Sequence, residues 1–367
     1  MELEFTPDQD ELRDSIRAVL AKECPISFVR AVVEGDDDAS RFWATTAELG
    51  WPALTVPEDH GGIGLGSIEL AILAEELGRV MAPGPLLPTV SQFVPVAAAL
   101  ADHGDLLGAV AAGELRATLA IAEPGGSFDP ADVRTTVRVD GDAAELLGTK
   151  RFVIAGNEVD AIAVVARNAD DDFAVAIVDR ADVDAGTIHT LDASRSLVDL
   201  HLDGARVPAD RVFSTTQRDL ERALAEATIA LALETVGTSQ TIFDVSLEYA
   251  KQREQFGVPI GSFQAVKHKF ADMAIALERA RGTAYFAALT LAEEDDRWPT
   301  ATSVAKVAAG DCQRLLVKEG IQLHGGIGYT WEHDMQLYVK RAKTAEALFG
   351  TSAWHRARIA DRLLAAG

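Results

Sequence analysis

The spacing of apolar residues changes twice along the chain and predicts three segments. Up to about residue 115, apolar side chains recur every three or four positions, as at Leu12, Ile16, Val19 and Leu20, a spacing typical of amphipathic helices. From about 116 to 213, apolar and polar residues alternate, which predicts β-strands. Helical spacing then returns and continues to the end. The chain is therefore predicted to be an α+β protein.

The middle segment contains short alternating runs separated by turns rich in Asp, Gly and Asn. Short strands at such intervals predict a small β-sandwich or barrel, here a middle β domain of residues 116–213. Strands are predicted at residues 118–122, 136–139, 161–166, 174–178 and 197–202.

Helices are predicted on both sides of that domain. The N-terminal all-helical domain, residues 1–115, opens with a capping box at Thr6–Gln9, and Ser67 is predicted to cap a later helix. The C-terminal domain, residues 214–367, is predicted to be a four-helix bundle, because its helices are long and closely connected. Its alanine-rich helices are predicted at residues 223–253, 264–293 and 301–323.

The charge balance excludes several classes of partner. The 367 residues include 34 basic and 57 acidic side chains, a net charge of −23. Such a surface repels nucleic acid and anionic membranes, and no apolar run is long enough to cross a bilayer. Only Cys24 and Cys312 are cysteines, without disulfide or metal-ligand spacing. With an acidic start that lacks a signal-peptide core, these features predict a cytoplasmic protein.

Residues 249–274 interrupt two helical patterns with a short polar and aromatic turn. Gly257 and Pro259 break the helix, and Arg253 and Phe256 stand beside the break. Arginine offers paired donors to phosphate oxygens, and an aromatic ring offers a stacking face. The stretch therefore suits a ligand with a diphosphate and a flat ring. The alternative interpretation is a plain helical hairpin with a solvated basic end.

Two further stretches combine a backbone turn with possible ligand contacts. Residues 322–330 end a helix at Gly325 and Gly326, where backbone groups are left unpaired and a ligand can approach closely. Residues 122–127 end a strand in a turn. A simple helix C-cap followed by a turn also accounts for the first stretch.

The helix break resembles the signature of the acyl-CoA dehydrogenase family, R-x-Q-F-G-x-P-I-x-x-F-Q. The order of helices, strands and helices is similar to that family over nearly the whole chain. The resemblance implies bound FAD, with the arginine and phenylalanine reaching the FAD of a neighbouring subunit. The signature residues are Arg253, Gln255, Phe256, Gly257, Pro259, Ile260, Phe263 and Gln264.

The resemblance also implies which residues contact the cofactor, and the chain departs from the family at several of them. The family usually has threonine at the position of Ala122, tryptophan at that of Phe152 and a hydroxyl residue at that of Ile154. Phenylalanine still offers a ring for stacking. The residues that the resemblance places at FAD are Ala122, Ser127, Phe152, Ile154, Arg253, Gln255, Phe256, Phe263, Gln322, Gly325, Gly326 and Thr351.

Both usual positions of the family's catalytic glutamate are apolar in this chain. Phe349 precedes the Gly350-Thr351 pair, and Ala227 occupies the alternative helix position. Neither side chain can remove the α-proton, although the backbone N–H of Phe349 could still hold a thioester oxygen. The adjacent Glu226 points about 100° away on a helix and is predicted to be solvated. Weaker candidates for the base are Glu332, His333, Asp334 and Glu346.

Three hypotheses follow from the missing base. The first is an acyl-CoA dehydrogenase subunit that holds FAD in a homo- or hetero-tetramer and works with a related chain that carries the glutamate. The second is a non-catalytic structural or regulatory subunit. The third is a stand-alone dehydrogenase that uses a displaced carboxylate such as Glu226. The first implies an acyl-CoA substrate and an electron acceptor that reoxidises the flavin.

Overall fold

A computed structural model describes residues 4–100 and 105–365, so the first three residues of the acidic start lie outside it. The N-terminal segment is helical, as predicted. Thr6 Oγ1 accepts a hydrogen bond from the N–H of Gln9, whose side chain accepts one from the N–H of Thr6, so the predicted capping box is confirmed. The helices are α1 (Pro7–Glu23), α2 (Ile26–Glu34), α3 (Ser40–Glu48), α4 (Ser67–Val80), α5 (Leu86–Pro88), α6 (Val94–Ala98) and α7 (Leu106–Ala111).

The middle segment contains ten strands in two sheets. The five predicted strands are present as β1, β2, β5, β6 and β8, while the other five were not predicted because they are short or partly exposed. The strands are β1 (Ala117–Ala120), β2 (Thr136–Asp140), β3 (Ala143–Leu147), β4 (Thr149–Ile154), β5 (Ala161–Arg167), β6 (Phe173–Asp179), β7 (Asp184–Thr187), β8 (Leu197–His201), β9 (Ala205–Pro208) and β10 (Val212–Ser214).

The larger sheet has seven strands in the order β10-β6-β5-β2-β3-β9, with β1 paired in parallel to β5. The smaller sheet has the order β4-β8-β7. The six leading residues of β5 and of β6 are all buried, which explains why these two strands are nearly continuous apolar runs. The end of β1 and the start of β4 carry the turn and the bulge described below.

Residues 214–365 contain five α-helices and a two-stranded hairpin, where the sequence predicts a four-helix bundle. The three long predicted helices are confirmed, although α8 begins at Gln217 and not at residue 223. The elements are α8 (Gln217–Gln252), β11 (Glu254–Gln255), β12 (Val258–Pro259), α9 (Gln264–Ala292), α10 (Trp298–His324), α11 (Met335–Ala347) and α12 (Ser352–Ala365). Together with the sheets, these elements confirm the predicted α+β fold class.

The chain forms two compact units that are not contiguous in sequence. Unit 1 contains the described residues of 1–34, 71–82 and 228–367, and unit 2 contains those of 35–70 and 83–227. The three-domain boundaries at residues 115 and 213 stay a prediction.

Unit 1 has a tight helix crossing at its centre. A Cβ atom added to Gly78 of α4 would lie 2.1 Å from the carbonyl oxygen of Glu234 in α8, and one added to Gly237 would lie 2.0 Å from that of Glu75. Thr238 Oγ1 donates to the Gly78 carbonyl at 3.0 Å. The two backbones approach so closely because neither glycine carries a side chain.

Both cysteines are buried in unit 1 as free thiols. Burial raises the pKa of Cys24 and of Cys312 to about 12. Since the thiolate is the reactive form of cysteine, neither residue is suited to catalysis.

Candidate functional site

The helix break that follows α8 folds as a β-hairpin with a two-residue loop, in unit 1. β11 pairs with β12 in antiparallel register, Gln255 opposite Val258. Phe256 and Gly257 connect them with φ of +54° and +77°. Positive φ at both turn residues matches the right-handed twist of the strands. The sequence prediction of a helix, a turn and a second helix is confirmed.

The hairpin presents its aromatic and basic groups to solvent. Phe256 is 94% exposed and packs edge to face on Phe263 with ring centroids 6.3 Å apart. Arg253 is exposed and forms no ion pair with any residue that the structure describes. Gln255 Nε2 donates to the carbonyl of Glu254. A phenyl ring left in water beside an unpaired guanidinium is typical of a surface that binds a ligand or a partner.

The end of α10 forms a second open turn in the same unit. Gly325 has a φ of +64°, and a Cβ added to Gly325 or Gly326 would meet no atom within 4 Å. Gln322 is exposed on the last turn of the helix. The ring of buried His324 stacks on Tyr249 of α8 at 4.4 Å between centroids. That stack joins the end of α8 to the end of α10.

We use the name hairpin–turn surface for the candidate residues of the hairpin and of the turn after α10. They are Arg253, Gln255, Phe256, Phe263, Gln322, Gly325 and Gly326. Its chemistry fits a dinucleotide cofactor such as FAD. The glycines leave backbone groups open to close approach, the guanidinium can pair with phosphate oxygens, and the phenyl rings offer stacking faces.

In unit 2, the end of β1 meets a bulge in β4. The N–H of Arg151 donates to the carbonyl of Ala122 at 2.8 Å. The register between β4 and β8 shifts between Lys150 and Val153, and Phe152 within that bulge has a φ of +57°. A bulky residue with positive φ stores strain. Such strain is concentrated at functional positions.

The predicted ring-contacting residues of unit 2 differ in accessibility. Phe152 and Ser127 are half-buried, whereas Ala122 and Ile154 are buried. A Cβ added to Gly126 would lie 3.8 Å from the Phe152 ring, so the turn at residues 122–127 lies against that ring. We use the name bulge surface for the residues of this turn and bulge, which are Ala122, Gly126, Ser127 and Phe152.

The turn at Phe349, where the family usually has its glutamate, has a strained backbone. Phe349 has a φ of +54° and Gly350 one of +95°. The Phe349 side chain is only 4% exposed. Its carbonyl accepts a hydrogen bond from Nε2 of buried His355 at 2.9 Å. Thr351 Oγ1 accepts from the N–H of Trp354 and so caps α12.

The structure corrects one prediction about Glu226 and one about Ser67. Glu226 is half-buried and not solvated, and its Oε1 accepts a hydrogen bond from Ser67 Oγ at 3.0 Å. Burial raises the pKa of Glu226. Ser67 is the first residue of α4 and not its cap. At this end of α4, the N–H of Gly66 donates a hydrogen bond to the Glu69 carboxylate at 2.9 Å.

The remaining candidate bases are engaged elsewhere or exposed. Glu346 accepts from Arg314 and Gln313, and Asp334 pairs with Arg30 at 2.5 Å. His333 Nδ1 accepts from the N–H of Met335. Glu332 is exposed, and Ala227 is buried. None of these groups combines an unengaged carboxylate with a place on the hairpin–turn or bulge surface.

Two contacts near the candidate residues had no signal in the sequence. Lys150 is fully buried and paired with Glu123, and His355 holds the Phe349 carbonyl. A lysine inside a strand reads as an exposed residue in any pattern of polar and apolar positions. A histidine six residues after Phe349 reads as an ordinary helix position.

Comparison with known proteins identifies the family. Residues 6–105 match the family described as acyl-CoA dehydrogenase, N-terminal domain, and residues 218–364 match the corresponding C-terminal domain. The acyl-CoA dehydrogenase IpdE2 of Mycobacterium tuberculosis is 32% identical over 344 residues, 92% of each chain. The chain belongs to the acyl-CoA dehydrogenase family. It is accordingly an oxidoreductase of a flavoprotein family, as the signature predicts.

Solved structures show the same fold over the whole acyl-CoA dehydrogenase chain. In the ChsE4–ChsE5 complex from Mycobacterium tuberculosis, one chain is 25% identical with a TM-score of 0.91, and 99% of each chain is covered. A variant of the Tcur3481–Tcur3483 steroid ACAD is 30% identical with a TM-score of 0.88, covering 98% of each chain. Within residues 4–100 and 105–365, no helix is long and apolar enough to cross a membrane.

Proposed function

We propose that this chain is an FAD-binding subunit of an acyl-CoA dehydrogenase that works with a related chain carrying the catalytic glutamate. The observation that carries the proposal is the contrast between two parts of unit 1. The hairpin–turn surface keeps its arginine, glutamines, glycines and phenyl rings, whereas the Phe349 turn keeps a strained backbone around a buried side chain that cannot accept a proton.

The reaction needs a base at the α-carbon, donors at the thioester oxygen and a hydride acceptor at the β-carbon. Bound FAD would supply the hydride acceptor. In this chain, Arg253, Gln322 and the open backbone at Gly325 and Gly326 would hold the phosphates of the FAD of a neighbouring subunit. Separately, Phe152 on the bulge surface would offer its ring for packing against a flavin. The base would come from the related chain.

Two features support an assembly of more than one chain. Phe256 is 94% exposed on the hairpin, and burial of such a ring by a neighbour is favourable by roughly 2 kcal/mol. Two of the structurally similar proteins are described by the names of two chains, ChsE4–ChsE5 and Tcur3481–Tcur3483. The proposal also includes an acyl-CoA substrate and a tetramer formed with a related chain. An electron acceptor would reoxidise the flavin.

The compartment is proposed to be the cytoplasm. Cys24 and Cys312 are free thiols, a cysteine usage that is typical of reducing compartments.

The test compares the chain expressed alone with the chain co-expressed with a related partner from a neighbouring reading frame, one with glutamate before its Gly-Thr pair. Flavin content is measured from the absorbance of the purified protein. Turnover is measured with straight-chain, branched and polycyclic acyl-CoAs and an artificial electron acceptor. We expect the co-expressed assembly to contain flavin and to turn over an acyl-CoA. We expect little or no turnover from this chain alone.

Two outcomes would contradict the proposal in different ways. Rapid turnover by the pure single chain would show that a base is present in it. A colourless assembly that takes up no added FAD would favour a purely structural subunit.

A further inference from the structure

Lys150, at the start of the β4 bulge, is the most deeply buried basic side chain among the described residues of unit 2. Its side chain has no exposed surface. Its Nζ donates to Glu123 Oε1 at 2.8 Å and to the Ile121 carbonyl at 3.1 Å. A buried ammonium is costly unless a counter-charge and hydrogen bonds compensate it, and this one has both.

The Glu123 carboxylate joins two more segments to the same point. It accepts the N–H of Arg134 at 3.0 Å and that of Thr135 at 2.8 Å, immediately before β2. One ion pair therefore ties together the end of β1, the entry to β2 and the start of β4. The first two of these segments border a cavity of about 420 Å³ that is lined by Glu123, Ser127 and Arg134 among others.

The ion pair adjoins residues of the bulge surface along the chain. Glu123 begins the turn, and its carbonyl accepts the N–H of Gly126 at 2.7 Å. Two residues after Lys150, Phe152 is held at its positive φ of +57°. The Arg151 guanidinium lies 5.0 Å from the centroid of the Phe152 ring. The ion pair therefore joins the residue that begins the turn to the strand segment that carries the Phe152 ring.

We propose that Lys150 and Glu123 are positioning residues that hold the bulge surface in the conformation that receives the flavin ring. This inference rests on the proposed FAD-binding function. Neither side chain is proposed to touch the cofactor. Apolar residues of similar volume would fill the same space without loss of stability. An ion pair additionally fixes the distance and direction between the three segments.

The proposal is tested with Lys150→Met, which keeps an unbranched side chain one atom shorter and removes its charge. The matched control is Arg116→Met, which breaks the half-exposed Arg116–Asp160 pair in the same unit. Each variant is prepared in the flavin-containing assembly, and FAD is then removed and titrated back. We expect Lys150→Met to weaken FAD binding about tenfold or more and Arg116→Met to change it less than twofold.

A second measurement does not require the cofactor. Hydrogen exchange in the flavin-free protein should become at least about tenfold faster in peptides covering residues 122–135 and 149–154 of Lys150→Met. Peptides of β6, away from the ion pair, should be unchanged. Unchanged exchange in the first two peptides would overturn the positioning role.

The double variant Glu123→Gln with Lys150→Met separates positioning from simple stability. It leaves no uncompensated buried charge, so its melting temperature should recover toward that of the unchanged chain. FAD binding should stay weak, because the directional contact is still missing. Recovery of FAD binding together with stability would overturn the proposal. If Lys150→Met does not fold, Glu123→Gln alone is compared with the double variant in the same way.

The two proposals fail in distinguishable ways. If the wild-type assembly binds no FAD, the proposed function is wrong and the positioning role is wrong with it. If the unchanged assembly binds FAD and Lys150→Met binds it as tightly as Arg116→Met does, only the positioning role fails.

Discussion

The imidazole Nε2 of His355 lies 2.9 Å from the carbonyl oxygen of Phe349. Nε2 must carry the proton, since a carbonyl only accepts. The other ring nitrogen, Nδ1, is buried and has no hydrogen-bond partner among the described residues. The histidine therefore holds the strained Phe349 turn in its neutral form, and a second proton would be placed on a nitrogen that neither water nor an acceptor reaches.

This contact predicts a specific dependence of stability on pH. Burial, followed by the nearby Lys306, Arg358 and Arg362, outweighs the Phe349 hydrogen bond and lowers the pKa of His355 from 6.5 to about 4. Between these values the unfolded chain binds more protons than the folded one, so stability falls as the pH falls from 6.5 to 4. The loss attributable to this group approaches about 3 kcal/mol.

Urea unfolding at pH 7 and pH 5 checks this prediction. His355→Gln keeps a donor for the Phe349 carbonyl but cannot titrate, so the difference in unfolding free energy between the two pH values should shrink. His189→Gln, at an exposed position, is the control and should keep the original difference. An equal difference in all three proteins would contradict the assignment.

Glu226→Gln should leave the turnover of the co-expressed assembly within about twofold of the unchanged assembly. The carboxylate is occupied by Ser67 and is not expected to remove a proton from substrate. Because burial raises the pKa of Glu226, the folded state favours its protonated form, and stability falls as the pH rises through the raised pKa. Glutamine resembles that neutral form, so the variant should be at least as stable at pH 7.

Steady-state kinetics and thermal melting decide this point. A loss of about a hundredfold or more in turnover, the usual effect of removing a general base, would instead identify Glu226 as the base. Ser67→Ala is the companion variant, since it removes the hydrogen bond while leaving the carboxylate in place.

Arg253→Ala should weaken FAD retention by about tenfold or more, because it removes a charge-assisted contact to phosphate. Lys251→Ala is a matched control that also removes one exposed positive charge. Lys251 pairs with Glu248 at 2.6 Å, whereas Arg253 has no such partner in the part of the chain that the structure describes. Flavin absorbance per chain after gel filtration measures the difference. Equal flavin content in the two variants would remove the phosphate role from Arg253.

Gly78→Ala should destabilise unit 1 by about 2–4 kcal/mol, because the added methyl group would overlap the Glu234 carbonyl of the crossing helix. Gly282→Ala in α9 is the control. A Cβ there meets nothing within 4 Å, so alanine should stabilise the helix by about 0.5–1 kcal/mol. Thermal melting of the two variants should therefore change in opposite directions, and a neutral Gly78→Ala would contradict the close crossing.

The sequence predicted those parts of the fold whose signal is local. The long helices α8, α9 and α10 repeat their apolar spacing over many turns, and the break at Phe256 and Gly257 combines turn residues in one place. The short strand β7 has mostly exposed residues, so no alternating pattern marks it. The discontinuous units could not be predicted, because residues 71–82 join unit 1 through packing with α8 and not through sequence proximity.

The candidate site was predictable to the extent that it consists of contiguous motifs. Arg253 and Gln322 could be named as candidates because each belongs to a recognisable stretch of sequence. The Ser67–Glu226 contact joins residues 159 positions apart, and the Lys150–Glu123 contact depends on three segments meeting. Burial of a charged side chain is a property of the folded chain, so a count of polar positions assigns such residues to the surface.

The closed environment of Cys24 and Cys312 has a practical consequence. A thiol that is both inaccessible and protonated at neutral pH does not react with alkylating reagents until the surrounding helices separate. The rate at which iodoacetamide modifies this protein therefore measures how often its helical unit opens. Preparations should also tolerate air without added reductant.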